Sequence, residues 1–79
     1  MDDDKIIEKI KLLLSQTLRL SSEKIFFETN VFTELGADSL DILSLATKIE
    51  NEFGISVDDI ENLVSIKKIY ESVKEKLKI

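Results

Sequence analysis

Cysteine, histidine, proline and tryptophan are all missing from these 79 residues, and glycine occurs only twice. Without cysteine the chain has no disulfide, no thiolate nucleophile and no cysteine-ligated zinc, so any thiol chemistry must be imported. Without histidine it lacks the commonest general base near neutral pH and the commonest metal ligand. A self-contained hydrolase or metalloenzyme is therefore not expected, nor is a resident metal. The lack of proline, with Gly36 and Gly54 as the only glycines, leaves long helices few breakers and points to an all-α fold. No apolar run approaches membrane-spanning length. The opening Met1-Asp2-Asp3-Asp4 has no cationic region leading into an apolar core, so it does not read as a secretory signal. A cytoplasmic protein is expected.

What is present suits a small globular domain. Hydrophobic residues make up 43% and charged residues 34%, well above the apolar level of disordered chains. Residues 1–79 are expected to form a single domain, near the size limit for a core without disulfides or metal. The net charge of −5 is unevenly spread: residues 1–19 are neutral, residues 20–64 carry −8, and residues 65–79 carry +3. So acidic a middle repels nucleic acid and anionic membranes and favours partners with basic patches. The lysines of the tail alternate with Glu71 and Glu75, as on a solvated helix face.

Apolar spacing predicts three principal helices and a short one. Ile6, Ile7, Ile10, Leu13, Leu14 and Leu18 form one stripe over about residues 3–18, with Asp2, Asp3 and Asp4 at the positive end of the helix dipole. From Leu20 to Ala37 the period fails. Ile25, Phe26, Phe27, Val31, Phe32 and Leu35 are expected to fold this stretch onto the core as an ordered loop, with turns at Asn30 and Gly36. Ile42, Leu45, Ala46, Ile49 and Phe53 form the second stripe, stopped by Gly54. Leu40, Leu43 and Thr47 fall on another strip of that helix. A short acidic helix is expected within residues 58–63. Ser65 then caps a last stripe of Ile66, Ile69, Tyr70, Val73 and Leu77. The fold class is thus an all-α bundle of three to four helices with a long ordered loop between the first two.

The second helix opens on Leu35-Gly36-Ala37-Asp38-Ser39-Leu40-Asp41. Asp38 suits the N-cap, and Asp41 can reach back to it as in a capping box. Ser39, flanked by carboxylates, is a poor nucleophile: ionised neighbours oppose negative charge on an attacking oxygen and on a tetrahedral intermediate. The helix terminus, however, favours a phosphate ester on that oxygen. The physics favours a serine modified by another enzyme, beside the plain alternative of a serine in a first helical turn.

LGADSLD, preceded by Val31-Phe32-Thr33-Glu34 and followed by a helix ending Ile49-Glu50-Asn51-Glu52-Phe53-Gly54-Ile55, resembles the acyl carrier protein family. The resemblance covers nearly the whole chain. It implies that Ser39 carries a 4′-phosphopantetheine arm, transferred from coenzyme A by a phosphopantetheinyl transferase and ending in the thiol this chain lacks. Acyl groups would ride on it as thioesters, for fatty acid synthesis or related enzymes, while the protein supplies binding and orientation. Asp38 would assist the modification near the transferase magnesium as well as cap the helix. Leu40 would contact partner enzymes, with Leu43 and Thr47 extending that contact. Leu43 is equally suited to the core.

Asp41, Glu50 and Glu34 would face basic partner surfaces. Leu45, Ala46, Ile49, Phe53, Ile60, Leu63 and Ile69 could shelter an acyl chain. A shuttling carrier of this kind is expected to be a monomer. Ser44, Lys48 and Asn51 stand where fatty acid synthesis carriers usually have glutamate, a small apolar residue and glutamate. Lys48 would put positive charge on a face expected to meet lysines and arginines. A specialised carrier for a polyketide, amino acid or aryl group is therefore an alternative, and a helical interaction module without a prosthetic group is another.

Overall fold

The computed structural model describes residues 3–58 and 60–77. Three α-helices carry the fold: α1 (Asp3–Leu18), α2 (Ser39–Phe53) and α3 (Ile66–Leu77). Single 3-10 turns at Ser22–Lys24 and Ile60–Asn62 punctuate the connections. The expected bundle is present; the short acidic helix expected within residues 58–63 is one 3-10 turn at Ile60–Asn62, and the expected place of Asp2 at the start of the first helix lies outside the described residues.

Each helix buries the stripe its spacing predicts. Ile6, Ile10 and Leu14 of α1 meet Ile42, Leu45, Ala46, Ile49 and Phe53 of α2 and Ile66, Ile69 and Val73 of α3 in one core, joined by Ile25, Val31 and Leu63. Ile7, Leu13 and Leu18 pack half-buried at its margin. Burying a leucine or isoleucine side chain fully contributes about 1.5–3 kcal/mol, so these stripes dominate the stability of a chain this short.

The helix ends are closed locally. α1 stops without glycine: Arg19 takes φ 57, the Leu20 N–H reaches back to the Ser15 carbonyl at 3.1 Å, and the Ser15 hydroxyl donates to the Leu20 carbonyl. This satisfies end carbonyls at the cost of a non-glycine residue in the left-handed region. α2 ends as predicted at Gly54, φ 66, whose N–H donates to the Glu50 carbonyl at 2.8 Å. α3 is capped by the buried Ser65, whose hydroxyl accepts from Lys68 N–H at 3.2 Å.

The long loop is tied down by backbone bonds to the start of α3. Val31 N–H donates to the Val64 carbonyl at 2.8 Å, and Lys67 N–H to the Phe27 carbonyl at 2.9 Å. Ile25 and Val31 are buried and Leu35 half-buried, as expected. The three phenylalanines depart from expectation: Phe26, Phe27 and Phe32 stay 67%, 40% and 37% exposed. The loop runs over the bundle surface, so only alternate stretches of it can turn inward.

Candidate functional site

Ser39 is the first residue of α2, and its position is set by two small capping systems. Upstream, Asn30 Oδ1 accepts from Phe32 and Thr33 N–H at 2.9 and 3.0 Å, while Glu34 Oε2 accepts from Asn30 N–H at 2.8 Å. One helical turn results, closed by Gly36 at φ 73 and by Ala37 N–H donating to the Val31 carbonyl at 2.9 Å. Ala37, itself buried, hands the chain to Asp38. Asp38 Oδ1 then accepts from Asp41 N–H at 2.9 Å, and Asp41 Oδ2 accepts from Asp38 N–H at 3.1 Å. This is the capping box expected from the sequence, with the N-cap backbone extended at φ −110, ψ −178.

Ser39 and Leu40 are exposed inside this frame, Leu40 by 73%. Amides of a first helical turn have no partner within the helix. In this turn the box takes the Asp41 amide, so the amides of Ser39 and Leu40 lie at the positive end of the helix dipole beside the serine hydroxyl. A phosphodiester on Ser39 Oγ fits that place: the oxygen is accessible, the terminus favours an anion, and the two nearest carboxylates are turned toward backbone amides. Asp38 and Asp41 cap the helix while flanking the serine.

The candidate contact residues separate into two groups. Leu40, Leu43 and Thr47 all lie on the solvent side of α2, Leu43 being 49% exposed, so the choice between core and surface is decided for the surface. The acidic candidates are engaged within the chain: Glu34 and Asp41 as above, and Glu50 through Oε2, which accepts Val57 N–H at 2.8 Å and holds the segment after α2. Lys48 departs from the reading that put its charge on the contact face. It is half-buried, and Nζ donates to Thr17 Oγ1 at 3.2 Å, beside the negative end of the α1 dipole. The proposed acyl-sheltering residues Leu45, Ala46, Ile49, Phe53, Leu63 and Ile69 are all buried, and Ile60 is half-buried against them.

The turn expected at Asn30 is present, but sequence reasoning missed the Glu34 carboxylate that closes it and the Glu50–Val57 tie. A carboxylate four residues after Asn30 lies off the usual three-residue capping spacing. The Glu50 contact spans seven residues across a turn and leaves no periodic signal.

The described residues thus form a helical bundle that presents an exposed serine at a capped helix N-terminus. A family model described as "Phosphopantetheine attachment site" matches residues 8–75. The acyl carrier protein of Thermotoga maritima is 33% identical over 76 residues, 94% of either chain. That of Buchnera aphidicola is 40% identical over 72 residues, 89% of this chain and 92% of its own. The chain belongs to the acyl carrier protein family, whose covalent group is 4′-phosphopantetheine. Among the described residues no helix is long and apolar enough to cross a membrane.

Proposed function

We propose that Ser39 is the residue that bears the 4′-phosphopantetheine arm, and that residues 1–79 act as one monomeric carrier domain in the cytoplasm with no catalytic step of their own. The observation that carries this reading is the exposed Ser39 held in the first turn of α2 by the Asp38–Asp41 capping box. When bound, the arm supplies the terminal thiol on which acyl groups are held as thioesters. The chain's own residues then do three things. The first turn of α2 favours the phosphodiester and fixes the direction in which it leaves the protein. Asp38 holds the cap and, in the modifying complex, presents its carboxylate toward the transferase magnesium. Leu40, Leu43 and Thr47 offer partner enzymes a contact beside the attachment point.

The partners are a phosphopantetheinyl transferase and the acyl-loading and acyl-processing enzymes that follow it. An acyl chain sheltered by the protein enters among Leu45, Ile49, Phe53, Leu63 and Ile69, which pack together in the core; acylation then perturbs the NMR signals of their methyl and ring groups. The attachment is tested by intact mass after incubation with coenzyme A, magnesium and a broad-specificity phosphopantetheinyl transferase. One phosphopantetheine is gained by the wild type and none by Ser39→Ala. No gain on folded wild-type protein refutes the assignment.

A further inference from the structure

Residues 55–64 join α2 to α3, and in their described part the helical piece is the single 3-10 turn Ile60–Asn62, which touches both helices. The stretch nevertheless forms one wall of the core: Leu63 is buried, and Ile55, Val57 and Ile60 pack half-buried against it. Backbone bonds fix its two ends. At the near end Gly54 N–H donates to the Glu50 carbonyl at 2.8 Å. At the far end the Val64 carbonyl accepts from Val31 N–H at 2.8 Å, and the Val31 carbonyl accepts in turn from Ala37 N–H, two residues before Ser39. The wall thus starts at the C-terminus of α2 and returns to its N-terminus, alongside a helix about 22 Å long. Between these ends two helix side chains grip it: Glu50 Oε2 accepts from Val57 N–H at 2.8 Å, and Lys76 Nζ pairs with Asp58 Oδ1 at 2.8 Å.

The two grips are unequal. The Asp58 side chain is 85% exposed, so its ion pair is screened by water and contributes little. Glu50 is half-buried, and its bond to the amide of the half-buried Val57 is charge-assisted, the stronger kind. Glu50 therefore holds the turn after α2 twice, by its carbonyl on Gly54 and by its carboxylate on Val57. Stretches with few fully buried side chains open at lower free energy than core helices, so of the elements around Leu45, Ile49 and Phe53 this wall yields first. We propose that Glu50 is a positioning residue for the acyl shelter: by holding Val57 it keeps this wall against Leu45, Ile49 and Phe53, and it sets how often the wall lifts to admit or expose an acyl chain. The role uses one carboxylate lone pair and leaves the charge in place. It rests on the reading of this core as the shelter for an acyl group on a Ser39-borne arm.

The test begins on the full apo chain, by native-state amide hydrogen exchange in wild type, Glu50→Ala and Glu50→Gln. Alanine removes the acceptor and glutamine keeps one without the charge; both are good helix formers. The informative amide is that of Leu63, whose bond to the Ile60 carbonyl at 3.0 Å neither substitution touches. In wild type Leu63 is expected to exchange faster than the slowest amides of α1 and α2, because its wall opens without them. In Glu50→Ala it is expected to exchange about tenfold faster still, and in Glu50→Gln by a smaller factor. The second measurement loads each protein from octanoyl-coenzyme A with a broad-specificity phosphopantetheinyl transferase. Hydroxylamine then attacks the thioester carbonyl, releasing the hydroxamate and leaving the arm's thiol, and the loss is followed by mass. Octanoyl cleavage is expected to be about threefold or more faster in Glu50→Ala than in wild type, while an acetyl arm, too short to occupy the core, is cleaved equally in both. An unchanged Leu63 amide in Glu50→Ala, exchange of Leu63 only with the slowest helix amides, or equal octanoyl cleavage overturns the role of Glu50 and leaves the carrier assignment standing. Absence of any mass gain on folded wild-type protein defeats the carrier assignment, and the proposal with it.

Discussion

Asp38 serves the fold through a hydrogen bond and, in the reading above, serves modification through its charge; the two contributions can be separated. In Asp38→Ala the Asp41 amide loses its acceptor at 2.9 Å, while the return bond from Asp38 N–H to Asp41 survives because it uses backbone. Asp38 is exposed, so water replaces part of what is lost and the cost is that of an ordinary N-cap, about 1 kcal/mol and at most about 2. For a domain of this size each kcal/mol lowers Tm by about 4–8 °C. Asp38→Asn keeps an acceptor of nearly equal capping strength and should stay within about 0.5 kcal/mol of wild type. Thermal unfolding by circular dichroism measures all three proteins. Modification kinetics at 25 °C, where each remains folded, then isolate the carboxylate: Asp38→Asn is expected to keep its Tm and to be modified more slowly. Equal destabilisation by asparagine and alanine would refute the capping argument, because the effect would then belong to charge at the helix dipole. Undiminished modification of Asp38→Asn would remove the carboxylate from the reaction.

Four further outcomes follow from the same structure. Leu45 is fully buried at the centre of α2, so Leu45→Ala is expected to lower stability by about 2–5 kcal/mol in urea titrations, a large share of what a domain of this length has. Gly36 sits at φ +73 with open space where a Cβ would be; Gly36→Ala therefore costs only backbone strain, about 1–2 kcal/mol, with Ser39 still modified once folded. The hydrogen bond from Lys76, at 2.8 Å, and its charge hold the Asp58 carboxyl below its ordinary pKa. A depressed folded pKa gives stability that is present above the unfolded value and lost as pH falls through the folded one. NMR titration should find Asp58 returning toward the ordinary aspartate range in Lys76→Met. At the basic end, Tyr70 and Asp3 raise the pKa of Lys74, so its contribution is complete below the ordinary lysine value and fades above the folded one.

Much of this molecule is written in short-range pattern. The stripes Ile6–Ile10–Leu14, Ile42–Leu45–Ile49–Phe53 and Ile66–Ile69–Val73 declare their helices because a residue's neighbours three and four along are its neighbours in space. Asp38 and Asp41 declare the start of α2 for the same reason, and Gly54 its end. The Arg19 stop was illegible because it depends on Ser15 and Leu20 closing around a residue type that rarely adopts positive φ. Phe26, Phe27 and Phe32 were misjudged because side-chain hydrophobicity alone does not say which loop residues the bundle has room to cover.

The site divides along the same line. Sequence alone determined that a hydroxyl stands at a capped helix start, that no thiol or imidazole exists to make it a nucleophile, and that the chain is acidic through its middle. Those are properties of composition and of contacts within one helical turn. Where the charges of α2 are held was decided only by the tertiary structure: Lys48 turns to Thr17, Glu52 to Lys9 and Glu50 to the Val57 amide. A charge on a helix flank binds whatever the neighbouring segment offers, and that neighbour is brought there by the packing of the core.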